Sequence, residues 1–198
     1  MNYINSTIDT AYFRYKLIQH PTEYLKFCEF YHELKCKHIL EIGSYFGGNF
    51  YVLCKLSNPL GLKISIDCPT FQNKETQSQL QIAYNYMKTF SENVRVINTD
   101  SHLDETKNVV LSIMQNQKFD FIFIDGDHSY EGVKKDFEMY SPLIKPGGYI
   151  AFHDINNIDH PNQSNYGVSK FWNELKSEHK FEFNSKSFFM GIGVVKII

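Results

Sequence analysis

The chain has little that would tie it to a charged polymer or a membrane. Its 198 residues include 20 basic and 22 acidic side chains for a formal charge of -2, and the Lys and Arg residues are scattered. Nucleic-acid binding draws on concentrated positive charge, so that partner class is not expected. No apolar run approaches the roughly 20 residues that span a bilayer. The start, MNYINSTIDTAYFRYK, lacks the charged opening and apolar core of a signal peptide. The expectation is a cytoplasmic protein without a membrane partner. Cysteine is scarce: Cys28, Cys36, Cys54 and Cys68 show no CxxC spacing and fall mostly in apolar, periodic segments. That pattern favours buried free thiols in a reducing compartment over a structural zinc site. With no internal repeat, low-complexity tract or linker-like stretch, residues 1–198 read as one unit.

What is present is apolar material, 42% of the chain, of which aromatic residues make up 16% of all positions, enough for a sizeable core. Helical periodicity and short apolar runs alternate. TEYLKFCEFYHELK (22–35) places Tyr24, Leu25, Cys28, Tyr31 and Leu34 on one stripe and predicts a helix after Pro21. HILEIG (38–43) reads as a buried strand followed by a helix at NFYVLCKLS. LKISID (62–67) precedes a helix at TQSQLQIAYNYMKTF, with Leu80, Ile82, Ala83, Tyr86 and Met87 expected inward. VRVINTD (94–100) leads to a helix around DETKNVVLSIMQNQ, and FDFIFID (119–125) to YEGVKKDFEMYSPLI. GGYIAFHD (147–154), a helix at VSKFWNELKSEH and two strands in FEFNS and FMGIGVVKII complete the pattern. Continuous Ile, Val and Phe runs imply strands covered on both faces, as parallel strands are. The repeated alternation predicts a doubly wound, mostly parallel α/β sheet with ligands outside the carboxyl ends of its strands.

Those ends carry the chemistry. They read Glu41-Ile-Gly43-Ser44-Tyr45-Phe46-Gly47-Gly48, Asp67, Asp100-Ser101, Asp125-Gly-Asp127-His128 and His153-Asp154. A single aspartate at a strand end is often a turn former or helix cap. An acid at each of five strand ends is harder to dismiss. The glycine loop permits a tight turn and close backbone approach to a ligand, with free helix N–H groups beyond. Tyr45 stands where a dinucleotide loop wants its second glycine, and that bulk, with Glu41 upstream, suits a cofactor carrying an ammonium rather than a pyrophosphate. Asp67 can accept from both hydroxyls of a ribose, and Asp100 with Ser101 can hold an adenine edge.

ILEIGSYFGGNF, SID, NTD, FIFIDGDHSYEGVKKDFEMYSPLIKPGGYIAFHDI, YGVSKFWNELK and GIGVVK together resemble a class I S-adenosylmethionine-dependent methyltransferase. More narrowly, they are similar to the metal-dependent O-methyltransferase group that includes macrolide-sugar methyltransferases and cephalosporin-hydroxylase-like proteins. The resemblance runs from about residue 38 onward and implies a Rossmann-like seven-stranded sheet with an antiparallel C-terminal strand. Residues 1–37 then form an N-terminal helical cap and 38–198 the core. It implies that Glu41, Gly43, Ser44, Tyr45 and Gly47 hold the methionine part of the cofactor, Asp67 the ribose, and Asp100 and Ser101 the adenine. Asp125, also beside the cofactor, joins His153 and Asp154 at the positions where relatives bind Mg²⁺ or a similar ion. His128 falls where relatives carry the residue that deprotonates the acceptor. His153 departs from the pattern, since many relatives have Asp or Glu there, and its nitrogen favours Mn²⁺, Fe²⁺ or Zn²⁺ over magnesium.

Methyl transfer to oxygen needs the acceptor hydroxyl deprotonated and in line behind the methyl group. A divalent ion can chelate two oxygens of a diol, and His128 can take the proton near neutral pH. The acceptor expected from the resemblance is a small molecule, sugar-like or diol-bearing. Plainer roles stand beside these: His128 as the cap of the helix near Ser129, Asp127 as a helix N-terminal residue favoured by the dipole, His153-Asp154 as a turn pair. Phe171, Trp172 and Leu175 read as core packing rather than a substrate platform. The polar stretch NNIDHPNQSNYG (156–167) reads as a rim over the metal edge or as a surface excursion. Two other functions fit parts of the pattern. A metal-dependent hydrolase would use DGDH and HD but leaves the glycine loop unexplained, and a non-catalytic S-adenosylmethionine-binding protein would keep the loop without turnover. An assembly of two or more chains suits a small enzyme of this kind.

Overall fold

A computed structural model describes residues 2–156, 167–184 and 190–198. Two helices lead, α1 (Tyr3–Tyr15) and α2 (Pro21–Glu33). Asn2 caps α1 by accepting from the Ile4 N–H, and Pro21 opens α2, where a missing N–H costs nothing. Strands and helices then alternate: β1 (Ile39–Ile42), α3 (Gly48–Leu56), β2 (Lys63–Ile66), α4 (Lys74–Met87), β3 (Val94–Ile97), α5 (Asp104–Met114), β4 (Phe119–Ile124), α6 (Tyr130–Tyr140), β5 (Ile144–His153), α7 (Val168–Glu174), β6 (Lys180–Phe183) and β7 (Ile192–Lys196).

The strands form one sheet in the order β3-β2-β1-β4-β5-β7-β6. β1 through β5 run parallel, and β7 is antiparallel to both neighbours, β5 and β6. The chain moves outward from β1 to β3 and restarts at β4 on β1's other side. The order therefore reverses between β1 and β4, and ligands of open α/β sheets bind at such a reversal.

Alternate side chains of each strand go to opposite faces. Leu40, Ile42, Ile122, Ile124, Ile150 and Phe152 join one apolar cluster with α5, α6 and α7. Ile39, Phe121, Phe123, Ala151, Ile192 and Val194 join the other, with α1, α2 and α3. Burial on both faces explains why these strands read as unbroken apolar runs.

The helices depart from the expected stripes in two places. On α4, Leu80, Tyr84 and Met87 are buried, at i, i+4 and i+7, whereas Ile82 and Tyr86 are exposed at 60% and 61%. The sequence reading had both of those inward and left Tyr84 out. On α2, Leu25 and Leu34 are half-buried, and Phe27, outside the predicted stripe, is fully buried, stacked at 6.0 Å on Tyr31. Phe171 and Trp172 are core residues, as expected. Trp172 packs against Gly193, and its indole N–H donates to Glu182 at 2.7 Å. All but the two ends of the segment read as a rim (156–167) lie outside the described residues. Among the described residues no helix is long and apolar enough to cross a membrane. Cys28, Cys36 and Cys54 are buried free thiols, and Cys68 is partly exposed.

Candidate active site

The carboxyl ends of β1 and β4 meet at the reversal. Gly43 has φ +85°, and a β-carbon there would fall 2.0 Å from the carbonyl oxygen of Asp125, so only glycine fits. The loop continues through Tyr45, also left-handed at φ 47°, to Gly47 at φ 85°, which leads into α3. The first N–H groups of α3 therefore face the loop, as an anionic or polar ligand group requires. Ser44 is buried, and its hydroxyl accepts from Ser65 at 2.8 Å.

Glu41 lies inside β1 and is fully buried. Oε1 accepts from Asn49 Nδ2 at 2.5 Å, and Oε2 is buried without a hydrogen-bond partner. Burial pushes this carboxyl up to about 8, and the hydrogen bonds of Asn49 and Ser44 offset only part of that. Asp67 follows β2. Burial raises its pKa, opposed by the Tyr84 hydroxyl, which donates at 2.7 Å, and by the N–H groups of Cys68 and Tyr45. Its bond to Tyr45 ties the glycine loop to the end of β2.

Asp100 and Ser101 follow β3 in a pinned loop. Asp100 Oδ1 accepts from the His102 N–H at 2.8 Å, its carbonyl from Thr106 Oγ1 at 2.6 Å, and the Ser101 carbonyl from the Tyr140 hydroxyl at 2.8 Å. The His102 ring lies 3.3 Å from Asp136, a fully buried carboxylate of α6. That hydrogen bond raises the His102 pKa against the opposing pull of burial.

At β4 and β5 four side chains close into a ring. His128 Nε2 lies 3.2 Å from Asp125 Oδ1, and its Nδ1 lies 3.4 Å from Asp154 Oδ2. His153 Nδ1 lies 3.3 Å from Asp125 Oδ1 and 3.2 Å from Asp154 Oδ1. Asp154 takes φ 62°, a left-handed conformation rare outside glycine that turns its carboxylate into the ring. Burial alone would raise Asp125, but the two imidazoles, His153 foremost, outweigh it and hold the carboxyl down to about 2. Burial opposes protonation of both histidines, and the carboxylates overcome it, raising His128 and carrying His153 well above its ordinary value. The two carboxylates thus favour positive charge in the ring, which a divalent ion beside neutral imidazoles would supply as well as protonation of the imidazoles. The ligand atoms of Asp125, His128 and Asp154 lie within 4.8 Å of one another, so a carboxylate-imidazole donor set for a cation exists.

His128 is not the helix cap. Ser129 caps α6 by accepting from the Gly132 N–H at 3.0 Å. Asp127 supports the same turn, accepting from the Ser129 N–H at 2.8 Å with its carboxylate packed on Gly132, and it lies outside the four-residue ring. The structure thus groups the sequence-flagged residues into a glycine loop with Glu41, Asp67 held by Tyr84, a pinned Asp100–Ser101 loop, and the ring.

A family model described as a methyltransferase domain matches residues 40–155, more than half of the chain. The chain belongs to this methyltransferase-domain family. The O-methyltransferase TomG of Streptomyces achromogenes, solved with S-adenosylmethionine, superposes on the domain with a TM-score of 0.65 at 16% identity, covering 100% of this chain and 90% of that one. Likeness at that identity carries the fold, and the Rossmann-like arrangement expected from the sequence is the one found. An uncharacterized protein of Acanthamoeba polyphaga mimivirus is 31% identical over 150 residues, 72% of this chain and 64% of that protein. The Sinorhizobium fredii protein y4gI is 26% identical over 147 residues, 73% of this chain. The methyltransferase domain spans 15% of y4gI and 64% of the viral protein, less than two thirds of either relative.

Sequence reasoning missed the residues that brace these groups: Asn49 and Tyr84, and Gln19 of the N-terminal segment. Asn49 stood beside the glycine pair, a signal that could have marked it. Nothing in the local pattern singles out Gln19.

Proposed function

We propose that the protein is an S-adenosylmethionine-dependent O-methyltransferase that uses a divalent ion and acts on a hydroxyl of a small, sugar-like or diol-bearing acceptor. The observation that carries this reading is the ring of Asp125, His128, His153 and Asp154 beside a glycine loop at the strand-order reversal. Two further features fit the cofactor: the partnerless Glu41 Oε2, an acceptor for an ammonium, and the left-handed loop opening onto the α3 N-terminus. TomG, the structural relative named above, is an O-methyltransferase.

When bound, the cofactor supplies an electrophilic methyl group, and the ion supplies positive charge that eases loss of a hydroxyl proton. Glu41 and the loop Gly43–Gly47 receive the methionine end, Asp67 the ribose, and Asp100 with Ser101 the adenine edge. Asp125, His153 and Asp154 hold the ion, His153 favouring Mn²⁺, Fe²⁺ or Zn²⁺ beside Mg²⁺. His128, whose side chain is 29% exposed against 7% for His153, faces the open side of the ring and takes the acceptor proton. A hydrolase would use the ring alone and gives no role to Glu41, the glycine loop or Asp67.

Calorimetry with S-adenosylhomocysteine, with and without Mg²⁺ and Mn²⁺, followed by a screen of sugar and catechol-like diols, tests the reading. Saturable cofactor binding and methyl transfer to a diol are expected. Absence of cofactor binding under every condition, or metal-dependent ester cleavage without cofactor, would sink it.

Glu41 adds a second expectation. With its carboxyl raised to about 8, it is mostly protonated at pH 7, and an arriving ammonium favours the charged form. Cofactor binding at pH 7 should therefore release up to about one proton. The measured enthalpy should change with the ionisation enthalpy of the buffer in the wild type and lose that dependence in Glu41→Gln. Equal enthalpies for the wild type in phosphate and Tris would remove Glu41 from the ammonium site.

A further inference from the structure

The N-terminal segment enters the cofactor loop at three points. A β-carbon on Gly48 would fall 2.6 Å from Leu17 Cα, so the turn after α1 lies directly on the start of α3. The Tyr24 hydroxyl donates to Asn49 Oδ1 at 2.6 Å, and Asn49 in turn donates to Glu41. Between these contacts lies Gln19, 6% exposed. Its Nε2 is 3.5 Å from Asp125 Oδ2, and its Oε1 is buried without a hydrogen-bond partner.

A buried carbonyl oxygen that gives up water for nothing is costly, and native structures usually satisfy such atoms. Glu41 Oε2 is a second buried oxygen in the same state. Both residues interact with Asp125, Gln19 by its amide and Glu41 through the like charge that its carboxyl takes on when ionised. The region is rich in acceptors and poor in donors. A ligand group that corrects the imbalance brings several N–H or O–H donors, no acceptor, and positive charge. An ammonium has three donors and nothing else.

We propose that Gln19 is a binding residue for the amino-acid end of the cofactor: its carbonyl oxygen accepts from the α-ammonium while its amide N–H steadies Asp125. The inference rests on the methyltransferase reading and extends it to the N-terminal segment, which carries none of the sequence motifs. Gln19 then tells a nucleoside with an amino-acid tail from one without.

The test compares S-adenosylhomocysteine with 5′-methylthioadenosine, which has the same adenosine and sulfur but no amino-acid tail. In Gln19→Met, affinity for S-adenosylhomocysteine should fall about tenfold, the scale of one charge-assisted hydrogen bond, with 5′-methylthioadenosine held within about twofold. The melting temperature of the ligand-free variant should change little, because loss of the amide N–H to Asp125 is offset by removal of the partnerless oxygen. If Gln19→Met does not fold, Gln19→Ala is read with the same two ligands and should show the same selective loss for S-adenosylhomocysteine. Equal losses for both ligands, no loss for either, or weaker Mn²⁺ binding with S-adenosylhomocysteine unchanged would overturn the proposal and leave the methyltransferase reading standing. A wild type that binds neither nucleoside would overturn both.

Discussion

His128→Ala is expected to lower methyl transfer by about 10²- to 10⁴-fold while S-adenosylhomocysteine binding stays within about threefold of wild type. The side chain spans the two carboxylates of the ring, 3.2 Å from Asp125 and 3.4 Å from Asp154. Its removal costs no helix cap, because Ser129 caps α6. Mn²⁺ titration separates the base from the ligand role, since His128 also stands in the compact set of cation donors. As a base, His128 can be lost with Mn²⁺ affinity largely kept, whereas His153→Ala should weaken Mn²⁺ strongly. Turnover of His128→Ala restored by excess Mn²⁺ would make the imidazole a ligand and move the base elsewhere.

Gly43→Ala is expected to destabilise the fold by about 2–4 kcal/mol and to abolish measurable cofactor binding. Part of that cost is conformational, an L residue held at φ +85°. The larger part is steric, because the new methyl would lie 2.0 Å from the Asp125 carbonyl oxygen and 2.6 Å from the Gly126 nitrogen. These are backbone atoms and cannot swing aside, so the ends of β1 and β4 must part, carrying Asp125 away from the loop. For a chain of this length the melting temperature should drop by about 4–16 °C. Gly147→Ala is the control. It shares a positive φ, +79°, but the nearest atom to its added carbon is Lys196 Cε at 4.0 Å. It should lose about 1–2 kcal/mol and leave cofactor affinity unchanged. Equal behaviour of the two variants would show that the loop does not depend on close approach.

The parts of the fold legible in the sequence are those where local chemistry and tertiary position coincide. ILEI, FDFIFI and YIAFH are apolar throughout because each strand is covered on both faces, and each stops at a polar residue where the cover ends. Gly43 and Gly47 were legible because left-handed turns select glycine. Other elements were ambiguous. TQSQLQIAYNYM has apolar residues on several sides, and the burial of Tyr84 over Tyr86 is decided by Asp67 on another element, which receives its hydroxyl. Lys63 opens a strand and is fully buried, because its ammonium donates to the carbonyls of Asn58 and Gly61 in the preceding loop. Gln19 illustrates the limit best. Its significance comes from an oxygen with no partner, which periodicity and spacing cannot encode.

β6 precedes β7 in the chain, yet among the described strands it hydrogen-bonds only to β7, which lies between it and β5. On a ribosome, β1 to β5 can assemble as they emerge, while β6 has nothing to pair with until residues 192–196 arrive. Until then β5 is an open edge, with Tyr149–His153 unpaired on the side β7 will take. The same late strand sets Ile192 opposite His153, and Gly191 just before it donates its N–H to Glu23 of α2 at 3.0 Å. Completion of the sheet edge, enclosure of the ring and the last tie to α2 therefore come together, late in the life of the nascent chain. Chains interrupted before residue 191 should carry a formed glycine loop beside a site with one wall missing.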